Sequence, residues 1–257
     1  MNTPLAGRLA LVTGGSRGVG RAICLALAED GADVAVNYRR DEGAARAVVE
    51  RIRAIGRRAE AFCASVDRVA DDQTMVEAIA RSLGDVDILV NNAGIASRGR
   101  TVAETDPEEL ERVIQTHAIG AHHLCRLLVP KMRERGRADV IMISSVATLS
   151  MGANGAPYNM AKAALEALAL TLAKEERPHG IRVNVVAPGL VDTEMGSRLA
   201  KAVSGVKDIH DLDRAMPFGH VCQPEEVANV VRFLVSAQNS YITGEKINVH
   251  GGGQMMR

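Results

Sequence analysis

The sequence predicts an α/β fold: a single-domain, Rossmann-type doubly wound parallel sheet of about seven strands flanked by helices. Three observations carry this. Short β-type runs alternate with longer helical patterns, which implies βαβ units with right-handed crossovers. Several of the runs are continuously apolar, as strands buried on both faces tend to be. A glycine-rich segment joins the first strand to the first helix, and such sheets bind ligands beyond the carboxyl ends of their strands.

In chain order, residues 9–13 read as a buried strand and 18–29 as a helix with apolar Ile23, Leu25, Leu27 and Ala28. Residues 34–38 form a second strand, followed by a charged, Ala-rich helix over 42–55. A third strand at 59–64 leads into a helix at 72–82, and a fourth strand covers 86–90. One long helical region spans 107–135 before the fifth strand at 140–144. The helix 157–177 starts with Pro157, which suits a first turn. Residues 181–186 and 246–249 complete seven strands. A chain of 257 residues can bury most of its apolar surface in one core, so one domain over 1–257 is expected.

Composition excludes several roles. The 31 basic and 31 acidic residues cancel, so no global field draws nucleic acid or an anionic membrane. Charges and glycines break every apolar stretch short of the roughly 18 residues of a membrane span. Cys24, Cys63, Cys125 and Cys222 lie far apart with no CxxC pair, and there is no HExxH motif. Neither a disulfide framework nor a metal site is expected, and free thiols fit a reducing cytosol. The N-terminus has no basic stretch and apolar region of a signal peptide, so a cytoplasmic location is expected. Aromatics make up 2% of the chain, so the core must be aliphatic.

The segment Thr13-Gly14-Gly15-Ser16-Arg17-Gly18-Val19-Gly20 permits a tight turn and close backbone approach to a pyrophosphate seated on a helix N-terminus. A glycine-rich turn without ligand is the alternative for this loop alone. Gly15 and Gly20 have P-loop spacing, but Arg21-Ala22 follow instead of Lys and Ser or Thr, which disfavours a nucleoside triphosphatase. The spacing Gly14-xxx-Gly18-x-Gly20 departs from GxGxxG and resembles the short-chain dehydrogenase/reductase family. Gly14, Ser16, Arg17, Gly18, Val19 and Gly20 become candidates for cofactor binding. A free ribose 2′-hydroxyl usually meets an acidic residue after the second strand, whereas a 2′-phosphate needs a cation. Here Tyr38-Arg39-Arg40 stand at that place, Tyr38 where NAD-preferring members carry aspartate, and Arg17 adds a cation. Arginine suits phosphate through its planar, bidentate fork. NADP(H) is therefore expected over NAD(H).

Tyr158-Asn159-Met160-Ala161-Lys162 sets a phenol and an ammonium four residues apart on one helix face. Reducing a ketone requires a proton for the developing alkoxide, and free tyrosine, with a pKa near 10, is a sluggish donor. A nearby cation lowers it by favouring the phenolate. Ser145 precedes Tyr158 by thirteen residues, and this Ser-to-Tyr-xxx-Lys spacing resembles the same family. That resemblance implies Tyr158 as general acid/base, Ser145 orienting the substrate oxygen, and Lys162 binding the nicotinamide ribose. Ser144 reads as a structural hydroxyl, since residues alternate across a strand.

Further segments match in order. Asn91-Asn92-Ala93-Gly94 resembles the motif that supports the sheet and lines the adenine ribose, giving Asn92, Ala93 and Gly94 as candidates. Pro188-Gly189, then Val191 and Thr193, resembles the turn that holds the nicotinamide amide and opens into a lid at 192–216. Tyr241-Ile242-Thr243-Gly244 and His250-Gly251-Gly252 resemble the C-terminal signature, and the resemblance runs over 7–253.

Two positions depart from the pattern. His117, in Gln115-Thr116-His117-Ala118-Ile119-Gly120, stands where family members commonly carry an asparagine that completes the catalytic group. It reads either as a tolerated substitute or as a relay member adding a titration near neutral pH. Ser65-Val66 replaces a common Asp-Val beside the adenine; serine can still bond an amino group with less charge assistance. His122 and His123 read as ordinary helix residues.

The Ser16-Arg17 pair and the Asn37-Tyr38-Arg39 strand end resemble 3-oxoacyl-[acyl-carrier-protein] reductases. The leading expectation is thus reduction of a 3-oxoacyl thioester. A sugar, steroid or other secondary-alcohol dehydrogenase is the alternative, and a cofactor-binding regulatory protein with weakened catalysis is a third. The resemblance also implies a homo-oligomer, a tetramer or a dimer, with the apolar faces around 118–129 and 163–172 compatible with an interface.

Overall fold

The structure, a computed structural model, describes residues 3–253. Its strands are β1 (Leu9–Val12), β2 (Asp33–Tyr38), β3 (Ala59–Cys63), β4 (Ile88–Asn91), β5 (Ala138–Ile143), β6 (Ile181–Pro188) and β7 (Lys246–Val249). Its α-helices are α1 (Gly18–Glu29), α2 (Glu42–Ala54), α3 (Val69–Ser82), α4 (Pro107–Ile114), α5 (Gly120–Met132), the short α6 (Ala147–Ser150), α7 (Ala156–Glu176), α8 (Glu194–Ser204) and α9 (Pro224–Val235). The strands form one seven-stranded sheet in the order β3-β2-β1-β4-β5-β6-β7, and every pairing is parallel. This is the doubly wound sheet read from the alternation. The order reverses between β1 and β4, so the loops after these strands part and open a crevice.

Side chains of alternate strand residues fill two aliphatic layers. Ala10, Val12, Val34 and Val36 pack with Ile23, Leu27, Val48, Ile52, Val231 and Leu234 from α1, α2 and α9. Leu9, Leu11 and Ala35 pack with Ile79, Leu124, Leu128, Met132, Leu165 and Leu172 from α3, α5 and α7. Strands buried on both faces cannot alternate polar with apolar residues, which is why the sequence marks them as continuous apolar runs.

Three boundaries differ from expectation in instructive ways. α3 starts at Val69 and carries Asp71 and Asp72 in its first turn, where carboxylates complement the helix dipole. β4 starts two residues later than expected, at Ile88. The expected single helix over 107–135 is interrupted by a π-helical turn, Gln115–Ile119, between α4 and α5. Gly120, the first residue of α5, sits so close to the loop after β3 that a Cβ there would lie 2.2 Å from the Val66 carbonyl oxygen. The π turn buries Thr116, His117 and Ala118 and places His117 beside the crevice. No described helix is long and apolar enough to cross a membrane.

Candidate active site

Because the strands are parallel, their carboxyl ends form one rim, and the glycine loop, Arg39, Ser65, Asn92, Ser145 and Pro188 all follow or end strands on it. The glycine loop leaves β1 with Gly14 and Gly18 at φ of 61° and 53°, in the left-handed region open to glycine. A Cβ on Gly20 would fall 2.3 Å from the Gly14 carbonyl oxygen, so helix and loop meet only because that position has no side chain. Arg17, the residue capping α1, makes no side-chain cap bond. Ser16, Val19 and the first-turn N–H groups thus surround a helix N-terminus suited to an anion.

Two residues outside the sequence candidates hold this loop. Asn37 Oδ1 accepts from the Gly14 N–H at 3.1 Å, and the Asn37 carbonyl accepts from the Gly15 N–H at 2.8 Å. Thr13 Oγ1 accepts from the Asn92 and Ala93 N–H groups, both at 2.9 Å. Asn92 Nδ2 in turn donates to the Thr13 carbonyl at 2.8 Å. The Asn92 side chain is therefore spent on joining the β1 and β4 loops. A polar residue at the end of an otherwise apolar buried strand was the sequence signal for both Asn37 and Thr13.

Arg39 and Arg40 are exposed at the end of β2. Arg17 Nη1 lies 2.8 Å from Glu194 Oε2, an exposed pair that bridges the glycine loop to α8, a segment remote in sequence. Tyr38 is 8% exposed and packs in the α1/α2 layer. Ser65 Oγ donates to Asp67 Oδ1 at 2.5 Å, so a carboxylate two residues on stands close to the expected adenine side. Val66 is buried, its carbonyl against Gly120.

On the other side of the crevice, the Gly189 N–H donates to the Val249 carbonyl at 2.9 Å, and the Pro188 carbonyl accepts from the Val146 N–H at 3.1 Å. Val191 is buried and bridges to Cys222. Thr193 caps α8, its Oγ1 accepting from the Gly196 N–H at 3.0 Å. Its methyl would touch a Cβ on Gly18 at 3.2 Å, so the start of the expected lid rests on the glycine loop. The lid itself is folded, as α8 and a 3-10 segment, Ile209–Ala215.

The structure brings Ser145, Tyr158, Lys162 and His117 together. Burial holds the Tyr158 phenol above its ordinary range, and the Ser145 hydroxyl acts in the opposite direction. Lys162 is buried and donates to the Ile143 carbonyl at 2.7 Å. Its Nζ lies 5.6 Å from the Tyr158 ring centroid. Burial pulls its pKa down to about 7, with the Glu166 carboxylate opposing. Its ammonium is aimed at a backbone carbonyl beside the Tyr158 ring.

His117 is 3% exposed and its ring meets Tyr158 edge to face, centroids 5.4 Å apart. Nε2 lies 2.8 Å from the Ile95 carbonyl oxygen and 3.1 Å from the Ile95 N–H. The shorter contact favours the Nε2–H tautomer, leaving Nδ1 as a buried acceptor with no partner. Burial, and then the Lys162 charge, bring its pKa down to about 3. Of the two readings of His117, titration near neutral pH is the one that burial opposes: the buried imidazole is neutral there. Gly94 is matched to it, for a Cβ there would fall 2.3 Å from His117 Cε1. Ser144 bonds Glu166 at 2.5 Å, the structural role expected of it.

Chemically, the crevice offers a helix N-terminus for phosphate at one end. At the other it offers a phenol and a hydroxyl next to a buried amine. A family model described as Enoyl-(Acyl carrier protein) reductase matches residues 14–254. An uncharacterized oxidoreductase of Methylorubrum extorquens is 39% identical over 248 residues, covering 96% of this chain and 98% of that protein. The 3-oxoacyl-[acyl-carrier-protein] reductase FabG of Staphylococcus epidermidis is 36% identical over 246 residues, covering 96% of this chain and 98% of its own length. The crystal structure of L-sorbose reductase from Gluconobacter frateurii, complexed with NADPH and L-sorbose, superposes with a TM-score of 0.90 at 30% identity over 98% of both chains. With the glycine loop, the sheet order and the Ser-Tyr-Lys group in one crevice, these matches place the chain in the short-chain dehydrogenase/reductase family of oxidoreductases.

Proposed function

We propose that the chain, acting as one domain, is an NADP(H)-dependent oxidoreductase that interconverts a ketone and a secondary alcohol, its substrate a 3-oxoacyl thioester. The observation that carries this is the meeting of Ser145, Tyr158 and buried Lys162 in one crevice, with Lys162 Nζ 5.6 Å from the Tyr158 ring. The loop fits the cofactor: Gly14 and Gly18 take left-handed backbone, Gly20 lets α1 close on Gly14, the N-terminus of α1 has no side-chain cap, and no acidic side chain ends β2. The helix N-terminus with Ser16 and Val19 would hold the pyrophosphate, Arg39 with Arg40 the 2′-phosphate, and the turn at Pro188, Gly189 and Val191 the nicotinamide amide. Arg17 would serve the phosphate after leaving Glu194. The cofactor supplies the hydride when bound.

The remaining work belongs to the chain. Ser145 Oγ orients the substrate oxygen by donating to it, and Tyr158 Oη gives up its proton to the alkoxide that develops there. A positioned general acid of this kind contributes about 10²–10⁴-fold. Charged Lys162 stabilises the phenolate left behind. His117, neutral, supports the Ile95 turn and presents its free Nδ1 as an acceptor near Lys162, without titrating. The charge-neutral composition and free thiols support a cytoplasmic homo-oligomer, and exposed Leu170 on α7 and Phe233 on α9 leave apolar surface for an interface.

A second reading, reduction or oxidation of a sugar-type secondary alcohol, is favoured by the superposition on L-sorbose reductase. An NADPH-oxidation screen over acetoacetyl thioesters, ketoses, steroids and simple ketones decides between them. The first reading expects thioesters to show the highest kcat/KM, and preference for a ketose would overturn it.

A further inference from the structure

We propose that Glu166 is a positioning residue for the reaction: with Lys246 it sets the charge on Lys162 and clamps the turn that carries Ser145. This rests on the active-site reading above.

Three α7 residues at successive helical spacings, Tyr158, Lys162 and Glu166, face the end of β5. Lys162 bonds the Ile143 carbonyl, Glu166 Oε1 accepts from Ser144 Oγ at 2.5 Å, and Tyr158 faces Ser145. Glu166 Oε1 also accepts from Thr148 Oγ1 at 2.8 Å, and Thr148 Oγ1 lies 2.9 Å from the Ser145 carbonyl. One carboxylate therefore ties both flanks of Ser145 to the helix that carries Tyr158. From β7, Lys246 Nζ reaches the same carboxylate, 2.9 Å from Oε1 and 3.1 Å from Oε2, and also bonds Thr148. Glu166 and Lys246 side chains are 17% and 21% exposed, so solvent screens the pair only in part.

The electrostatic consequence concerns Lys162. Its surroundings hold three titratable groups, Glu166 and Tyr158 on its own helix and His117 from the π turn, with the Ile143 carbonyl from β5; Lys246 from β7 lies against Glu166. Of these, His117 is neutral, so the charge that supports an ammonium at Lys162 is that of Glu166. Lys246 offsets part of that charge. The pair thus forms a graded control, in which the carboxylate favours the protonated amine and the second ammonium limits it.

Two variants read this control in opposite directions. Glu166→Gln keeps an oxygen acceptor for Ser144 and Thr148 but removes the charge. Lys246→Met keeps the carboxylate and removes the offsetting cation. With lysine ε-carbons labelled by 13C and the Lys162 signal assigned through Lys162→Arg, its titration can be followed by NMR in the cofactor-free protein. The midpoint is expected to fall by about one pH unit in Glu166→Gln and to rise in Lys246→Met, a span typical of a close charge. The alkaline limb of kcat for NADPH-dependent ketone reduction should move the same two ways. Unchanged midpoints, or midpoints that move in the same direction in both variants, overturn the inference. Tyr158→Phe separates the two levels: if it leaves turnover intact, the active-site reading fails, whereas intact loss there with unmoved midpoints sinks only the role of Glu166.

Discussion

Replacing His117 by asparagine should make the fold less sensitive to acid, by an amount the structure sets. The buried ring takes up a proton only near pH 3, whereas an ordinary histidine does so near 6.5. Between these values the unfolded chain binds a proton at this position that the folded chain does not. The sign follows: stability contributed by neutral His117 is fully present above pH 6.5 and is lost as the pH falls toward 3. Each pH unit in this window is about 1.4 kcal/mol, so a drop from 6.5 to 5 costs about 2 kcal/mol. Urea unfolding of wild type and His117→Asn at pH 7.5 and pH 5.0, followed by circular dichroism, isolates it. His123, Asp72 and the surface carboxylates titrate in both proteins and cancel. The wild type should lose about 2 kcal/mol more than the variant. Equal losses would show that the ring is accessible to protons, and the neutral role assigned to it would fall. The same reasoning expects superimposable pH–rate profiles for the two proteins above pH 6.

Gly94→Ala should destabilise the wild type by about 1–3 kcal/mol, as overpacking does, because its new methyl meets His117 Cε1. In a His117→Ala background most of that cost should vanish, and a double-mutant cycle that closes additively contradicts the packing described. Arg39→Ala should raise KM for NADPH about tenfold or more, the worth of a charge-assisted bond, while leaving NADH kinetics unchanged; equal effects on both cofactors would remove Arg39 from the 2′-phosphate site. Glu194→Ala frees Arg17 from its exposed ion pair. Since such pairs are worth at most about 1 kcal/mol, KM for NADPH should fall by about twofold, and a rise would mean that the bridge to α8 assists binding.

The strands were legible because a strand buried on both faces has no polar side to hide it. The glycine loop and the Tyr158–Lys162 spacing were legible for a similar reason, since both are local patterns. What escaped reading depends on residues far apart in the chain. The π turn at 115–119 coincides with Gly120 lying against the Val66 carbonyl, a contact between separate βαβ units. Arg17 turns to Glu194, 177 residues away, and not to the strand end where Arg39 waits. Asn37 and Thr13 bond backbone groups of neighbouring loops, so their task appears only once the sheet order is known. Spacing reveals the lysine beside Tyr158 but not the burial that holds the phenol above its ordinary range. Glu166 and Lys246 are 80 residues apart, and neither carries a motif.

The most direct measurement is turnover of NADPH with an acetoacetyl thioester by wild type and Tyr158→Phe, with cofactor binding followed separately by fluorescence. The phenylalanine keeps the ring against His117 and removes only the hydroxyl. The predicted result is a fall in kcat of about 10²–10⁴-fold with NADPH affinity retained. Turnover equal to wild type would contradict the proton route on which the account depends.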